Sequence, residues 1–159
     1  MDNPFFKSSG PLKISEILNI LNLKTEYLNG DQLVEDIKDL YSSEKNDITF
    51  FHSKKYKDVV KNTKATFCIT TERLKNYLPI SCIPLIVENV LVSTSAVTAK
   101  FYPDSIDDIF DETSEYINET IFKDKVKFGK NVLVGKNVKI GDDCFIGHNT
   151  IIEKNVIIG

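Results

Sequence analysis

Cut into sixes from Val126, the chain repeats one pattern to its last residue: V-K-F-G-K-N, V-L-V-G-K-N, V-K-I-G-D-D, C-F-I-G-H-N, T-I-I-E-K-N and V-I-I-G. The third position is always apolar (Phe128, Val134, Ile140, Ile146, Ile152, Ile158), and the first is small or β-branched (Val126, Val132, Val138, Cys144, Thr150, Val156). The fourth is Gly at 129, 135, 141, 147 and 159 with Glu153 between, and the sixth is Asn131, Asn137, Asp143, Asn149 and Asn155. Alternate side chains of an extended segment share a face, so positions one and three turn inward together. Gly, Asn and Asp tolerate positive φ and bend the chain. The pattern predicts a solenoid of short strands with a corner every six residues. Each rung then buries its apolar face only by stacking on the next.

Ahead of the repeat the periodicity is different. Ile14, Ile17, Leu18 and Leu21 lie at helical spacing behind Pro11 and predict an amphipathic first helix. Residues 32–40 read weakly as a strand, and Asp47–Phe51 reads as a better one, entered through the turn-rich 42–46. A helix over 54–63, a strand over 65–70, a short helix over 71–77 and a strand over 82–88 follow, then a helix over 90–101 that stops at Pro103. Strands alternating with helices predict a small α/β sandwich.

Composition narrows the function classes. A chain of 159 residues makes one domain or two small ones, and 42% hydrophobic with 27% charged residues describes a folded protein. A net charge of -3 disfavours a general nucleic-acid binder. No apolar run approaches the ~20 residues of a membrane span, and Met1–Lys7 lacks the form of a signal peptide. A cytoplasmic protein is expected. Cys68, Cys82 and Cys144 sit in apolar segments with no C-x-x-C pair, which predicts buried, reduced thiols. With two histidines far apart, no metal site is expected. Six acids in 104–115 (Asp104, Asp107, Asp108, Asp111, Glu112, Glu115) read as a solvated linker. Their spacing also permits a cation site on one helix face.

An α/β half, an acidic linker and hexads, in that order, resemble the UDP-3-O-acylglucosamine N-acyltransferase family of bacterial lipid A synthesis. Local motifs carry the resemblance. Residues 48–56 (I-T-F-F-H-S-K-K-Y) are similar to the family's I-[ST]-F-x-x-N-P-K-Y segment. Lys64-Ala65 matches its entry to the next strand, and Val87-Glu88-Asn89 with Phe101-Tyr102-Pro103 matches its V-x-N-P-Y … F-Y-P stretch. Ser53-Lys54 stands where Asn-Pro is usual, and Val90 where Pro is usual.

The resemblance implies an α/β uridine-nucleotide-binding domain over 1–103, the linker over 104–117, and over 118–159 the first coils of a left-handed parallel β-helix with three hexads per coil. Since 126–159 falls short of two such coils and stops in mid-hexad, the chain is expected to be the N-terminal part of a longer protein. By itself it is expected to be inactive. The family transfers a 3-hydroxyacyl chain from acyl carrier protein to the glucosamine amine of UDP-3-O-acylglucosamine, as a homotrimer and without a cofactor. The carrier protein is expected to engage the missing part.

In the family two aromatic side chains stack on uracil, and they map onto Phe50 and Tyr56, with Ser53 at the position that meets the base edge. Taken alone, Phe50 reads as a core strand residue. Lys54, Lys55 and Lys57 are candidates for the diphosphate or a solvated face. The family's catalytic histidine sits in an A-H-N hexad several coils further on. His148 fills the same slot in Cys144–Asn149, but Lys130, Lys136, Asp142 and Lys154 occupy it in neighbouring hexads, which marks an outward surface position. No catalytic residue is therefore assigned in this chain, and His52 is read as structural. Gly129 to Gly135-Lys136 imitates a phosphate-binding loop with one residue too many and with Asn137 in place of Ser or Thr. The alternatives are a non-catalytic hexapeptide module for oligomerisation or binding, and another nucleotide-sugar N-acyltransferase.

Overall fold

The computed structural model describes residues 6–24, 28–105 and 111–159; Met1–Phe5 and, in the acidic stretch, Asp107 and Asp108 lie outside the described residues. Two units are distinguished, Phe6–Asp107 and Asp108–Gly159.

In the first unit a short β1 (Leu12–Lys13) leads into α1 (Ile14–Ile20). Ile14, Ile17 and Leu18 fall on one stripe of that helix and are buried. The Lys13 N–H donates to the Glu16 carboxylate at 3.1 Å, half of a capping box. β2 (Leu33–Val34) pairs antiparallel with β1. The sheet that follows is built from β3 (Ile48–Phe51), β4 (Phe67–Thr70) and β5 (Ile83–Ile86), all parallel in that spatial order, with α2 (Lys57–Val60) between the first two and α3 (Val90–Phe101) after the last. Asn89 caps α3, its side-chain oxygen accepting the Val92 N–H at 3.2 Å. The pleat sorts the side chains onto two faces. Ile48, Phe67, Ile69 and Leu85 pack with Ile14, Ile17, Val97 and Phe101 on one face. Phe51 and Cys68 pack with Val60, Leu74 and Cys82 on the other. The central β4 is buried along its whole length, as a parallel strand covered on both sides must be.

Three elements are shorter than the periodicity predicts. Over 32–40 only Leu33–Val34 is strand, with one further bridge from Ile37 to Ile48. The Asp39 carboxylate accepts the N–H groups of Tyr41 and Ser42, and Asp36 accepts that of Ile37. Such local bonds offer the backbone an alternative to a ladder. The helix over 54–63 is a 3₁₀ turn (Lys54–Tyr56) and a single α turn, α2, closed by Asn62 and Thr63 bonding back to Val59 and Val60. Over 71–77 only Lys75–Tyr77 is helical, a 3₁₀ turn.

The second unit starts with β6 (Glu115–Tyr116) and continues as the solenoid: β7 (Lys127–Phe128), β8 (Leu133–Val134), β9 (Lys139–Ile140), β10 (Phe145–Ile146), β11 (Ile151–Ile152) and β12 (Ile157–Ile158). β7 pairs with β10, β8 with β11 and β9 with β12, each parallel and in register with the residue eighteen positions on (Phe128 opposite Ile146, Val134 opposite Ile152, Ile140 opposite Ile158). Three hexads per coil is thus observed. Val134, Ile140, Ile146 and Ile152 are buried in its centre with Val126 and Val132, and Ile117 and Phe122 join the same cluster. Second-position side chains face outward, and Phe145, Ile151 and Ile157 are exposed.

The corners use the sixth position. Asn131, Asn137, Asp143, Asn149 and Asn155 all have φ between 56° and 64°, the left-handed region that Asn and Asp enter most readily. The Asn131 amide donates to Asn149 at 3.0 Å and that of Asn137 to Asn155 at 3.1 Å, a ladder from coil to coil. The glycines are not there for positive φ; among the described residues none has it. Gly129 and Gly135 are required by close approach instead: a Cβ on Gly129 would stand 2.7 Å from the His148 nitrogen, and one on Gly135 2.5 Å from that of Lys154.

Candidate functional site

The C-terminal ends of parallel strands are where an open α/β sheet leaves room for ligands, and β3 ends in Phe50-Phe51, with His52 the next residue. Phe51 turns into the core and is fully buried. Phe50 is on the opposite face, half-buried and packed against the α1–α3 cluster. His52, two residues on, stands beside it with ring centroids 6.4 Å apart and planes 25° from parallel. The chain then turns through the 3₁₀ segment, which brings back the exposed Tyr56 so that its ring lies 5.6 Å from that of His52, tilted by 52°. The two aromatic residues picked out from the sequence are therefore joined in a row by a third.

Ser53 sits at the foot of this row. Its hydroxyl oxygen accepts the Lys55 N–H at 3.3 Å and caps the 3₁₀ turn, leaving its own O–H to donate elsewhere. Lys54, Lys55 and Lys57 are exposed on the same turn, and among the described residues none of them has a carboxylate partner within ion-pair distance. The neighbouring lysines differ: Lys61 is 3.0 Å from Asp58, and Lys64 is 2.8 Å from Glu44. An aromatic row with unpaired ammonium groups beside it suits a flat ring carrying an anionic tail. His52 is the member that sequence reasoning set aside as structural. The signal was its spacing of two from Phe50 on a strand, which puts both on one face.

The second unit offers less chemistry. His148 is exposed, and its Nδ1 accepts the Lys130 N–H of the coil below at 2.7 Å. A neutral imidazole bonded in this way carries its proton on Nε2, so neither nitrogen is free to accept another. The side chain works as a staple between coils. The glycines of the apparent phosphate loop are likewise committed: the Gly129 N–H donates to Ile146 at 2.9 Å and that of Gly135 to Ile152 at 2.8 Å. Of the acidic stretch, Glu115 is in β6, and Asp111 is turned onto Thr113, whose hydroxyl and N–H hold its carboxyl below the usual range. No group of three or more metal-ligating side chains is found among the described residues. Nor is any described helix long and apolar enough to cross a membrane. Cys68 and Cys82 are buried as expected, whereas Cys144 is half-buried, since first-position side chains of the upper coil are only partly covered.

Comparison with known proteins agrees with this division. Residues 31–99 match the family model described as UDP-3-O-(3-hydroxymyristoyl) glucosamine N-acyltransferase, LpxD, and residues 119–154 match that of the bacterial transferase hexapeptide (six repeats). The chain is 31% identical over 100 residues to the UDP-3-O-acylglucosamine N-acyltransferase of Rickettsia canadensis (strain McKiel), covering 62% of this chain and 29% of the relative. To the enzyme of the same name from Rickettsia massiliae (strain Mtu5) it is 36% identical over 67 residues, 41% of this chain and 19% of the relative. For that of Rickettsia bellii (strain RML369-C) the figures are 29% over 104 residues, 64% and 30%. The matched stretches thus span less than a third of the length of these relatives. The first unit carries the match to the acyltransferase model, and the solenoid carries the match to the hexapeptide model.

Proposed function

We propose that this chain is the uridine-binding and coil-initiating part of a transferase. The reaction moves a 3-hydroxyacyl group from acyl carrier protein to the glucosamine amine of UDP-3-O-acylglucosamine, a step of lipid A synthesis. One observation carries the proposal: a unit matching the acyltransferase model ends its first sheet strand in a row of rings flanked by unpaired lysines, and eighteen-residue coils follow. In this scheme uracil stacks on Phe50 and Tyr56, and the Ser53 hydroxyl meets the base edge. Lys54, Lys55 and Lys57 attract the diphosphate through charge-assisted hydrogen bonds. The coil is left-handed, three copies assemble into a cytoplasmic trimer, and the domains divide as 1–103, 104–117 and 118–159. His148, with Nδ1 already engaged, is not the catalytic base.

The test is a titration of the full chain with UMP, followed by NMR. Each stacked ring supplies about 1–3 kcal/mol, and the loss of translational and rotational freedom removes much of the sum, so a Kd near ~1 mM is expected. Shifts should concentrate in residues 48–57 and vanish in Phe50→Ala. Should that variant lose its fold, Tyr56→Ala serves, because the residue is 43% exposed and stands outside the buried core. A folded variant of either kind with unchanged UMP shifts overturns the proposal.

A further inference from the structure

We propose that His52 is a resident occupant of the base position, so that a nucleotide binds by displacing its imidazole; this rests on the uridine-site proposal above. Strand geometry brings the ring there. Residues i and i+2 of a strand share a face about 6.6 Å apart, and Phe50 and His52 keep that spacing, with centroids 6.4 Å apart. That separation lies within the about 4.5–7 Å of ordinary aromatic pairs. The imidazole also meets Tyr56, at 5.6 Å and tilted by 52°, so both aromatic residues of the candidate site contact it.

Phe50 packs its inner side on the core cluster, and the ring stacked on what remains is His52. A base that touches both Phe50 and Tyr56 therefore takes the place of the imidazole. Only ring contacts hold the imidazole: His52 is exposed, and among the described residues no hydrogen bond or ion pair anchors it. Rotation about χ1 carries it into solvent. Affinity is then set by competition between an intramolecular ring and the incoming base, which makes His52 a specificity-determining residue. A ligand must stack better than imidazole to enter.

UMP titrations of the full chain and two variants test this. Removing the competing ring in His52→Ala should tighten UMP binding roughly 2- to 10-fold, the range set by the strength of aromatic pairs. His52→Phe, a competitor without a polar edge, should weaken it. A second readout comes from the imidazole itself. The chain has two histidines, so the His52 ring signals are identified by their loss in His52→Ala. In the free chain they should be displaced by the ring currents of Phe50 and Tyr56, and UMP should return them to solvent-exposed values. UMP binding that is unchanged or weaker in His52→Ala, with Phe50→Ala still abolishing it, overturns the role of His52 and leaves the uridine site standing. Absence of UMP shifts in wild type and variants alike overturns both.

Discussion

Replacing Gly135 by Ala tests the claim that coil spacing, and not backbone conformation, demands glycine in the hexads. The new Cβ would lie 2.5 Å from the Lys154 nitrogen and 2.9 Å from the Glu153 carbonyl carbon. Both are backbone atoms and cannot swing away as a flexible side chain would. Relief requires the upper coil to rise, which stretches the Gly135-to-Ile152 and Asn155-to-Lys136 hydrogen bonds, now 2.8 and 2.9 Å. Overpacking of this kind costs about 1–3 kcal/mol. The matched control is Gly147→Ala, where the nearest atom to the new methyl is the Thr150 hydroxyl at 3.9 Å. With no positive φ at either glycine, loss of unfolded-state freedom favours both alanines by about 0.4–1 kcal/mol. That gain cancels in the comparison, leaving the full overpacking cost as the difference. Hydrogen exchange of the amides that bond between coils, those of Leu133, Lys139, Asn155 and position 135 itself, should run about 5- to 150-fold faster in Gly135→Ala than in Gly147→Ala. Equal protection in the two variants would refute the close-approach account.

Two further expectations concern titration and reactivity. Burial and the Asp36 carboxylate, which accepts the Tyr102 O–H at 2.7 Å, push the Tyr102 phenol up to about 12. Its contribution to stability is therefore fully present below pH ~10, the unfolded phenol's range, and is lost as pH rises toward 12; the gap in Tm between wild type and Tyr102→Phe should narrow across that window, and a constant gap would contradict it. For the cysteines, the Cys82 thiol alongside and burial both push the Cys68 thiol up, so a maleimide should label the native chain at the half-buried Cys144 alone and reach Cys68 and Cys82 only in denaturant. Native labelling of Cys68 at a rate comparable to Cys144 would show that the sheet face is open.

The solenoid was legible because its information is columnar: each inward residue has the same role in every hexad, and Val134, Ile140, Ile146 and Ile152 repeat one environment. The function of the Asn and Asp column followed from backbone sterics alone. That of the glycine column did not, since the neighbour that a Cβ on Gly135 would strike lies nineteen residues along and is met only once the coils are stacked. In the first unit the main strands and the last helix followed from periodicity, whereas 32–40, 54–63 and 71–77 did not. There Asp36, Asp39 and short i-to-i−3 bonds win over weak propensities, and a helix of under a dozen residues has little cooperativity with which to resist. Phe50 and Tyr56 were picked out only through the family resemblance. His52 needed coordinates, because spacing puts it beside Phe50 but cannot show the chain turning back to lay Tyr56 against it.

The antiparallel β6 gives the coil stack a direction. Glu115 and Tyr116 lie against Val134 and Leu133 of β8, on the edge opposite to β11. A parallel rung arriving at that edge finds its hydrogen-bonding groups already taken by a strand of the wrong polarity, while Ile117 and Phe122 fill the hydrophobic cluster with side chains from outside the hexads. On this face the stack has a floor. A rung there can be templated only in the direction from β8 to β11, so mispairing by addition from below, the hazard of any repeat whose units are interchangeable, is blocked at β8 by two residues of reversed chain.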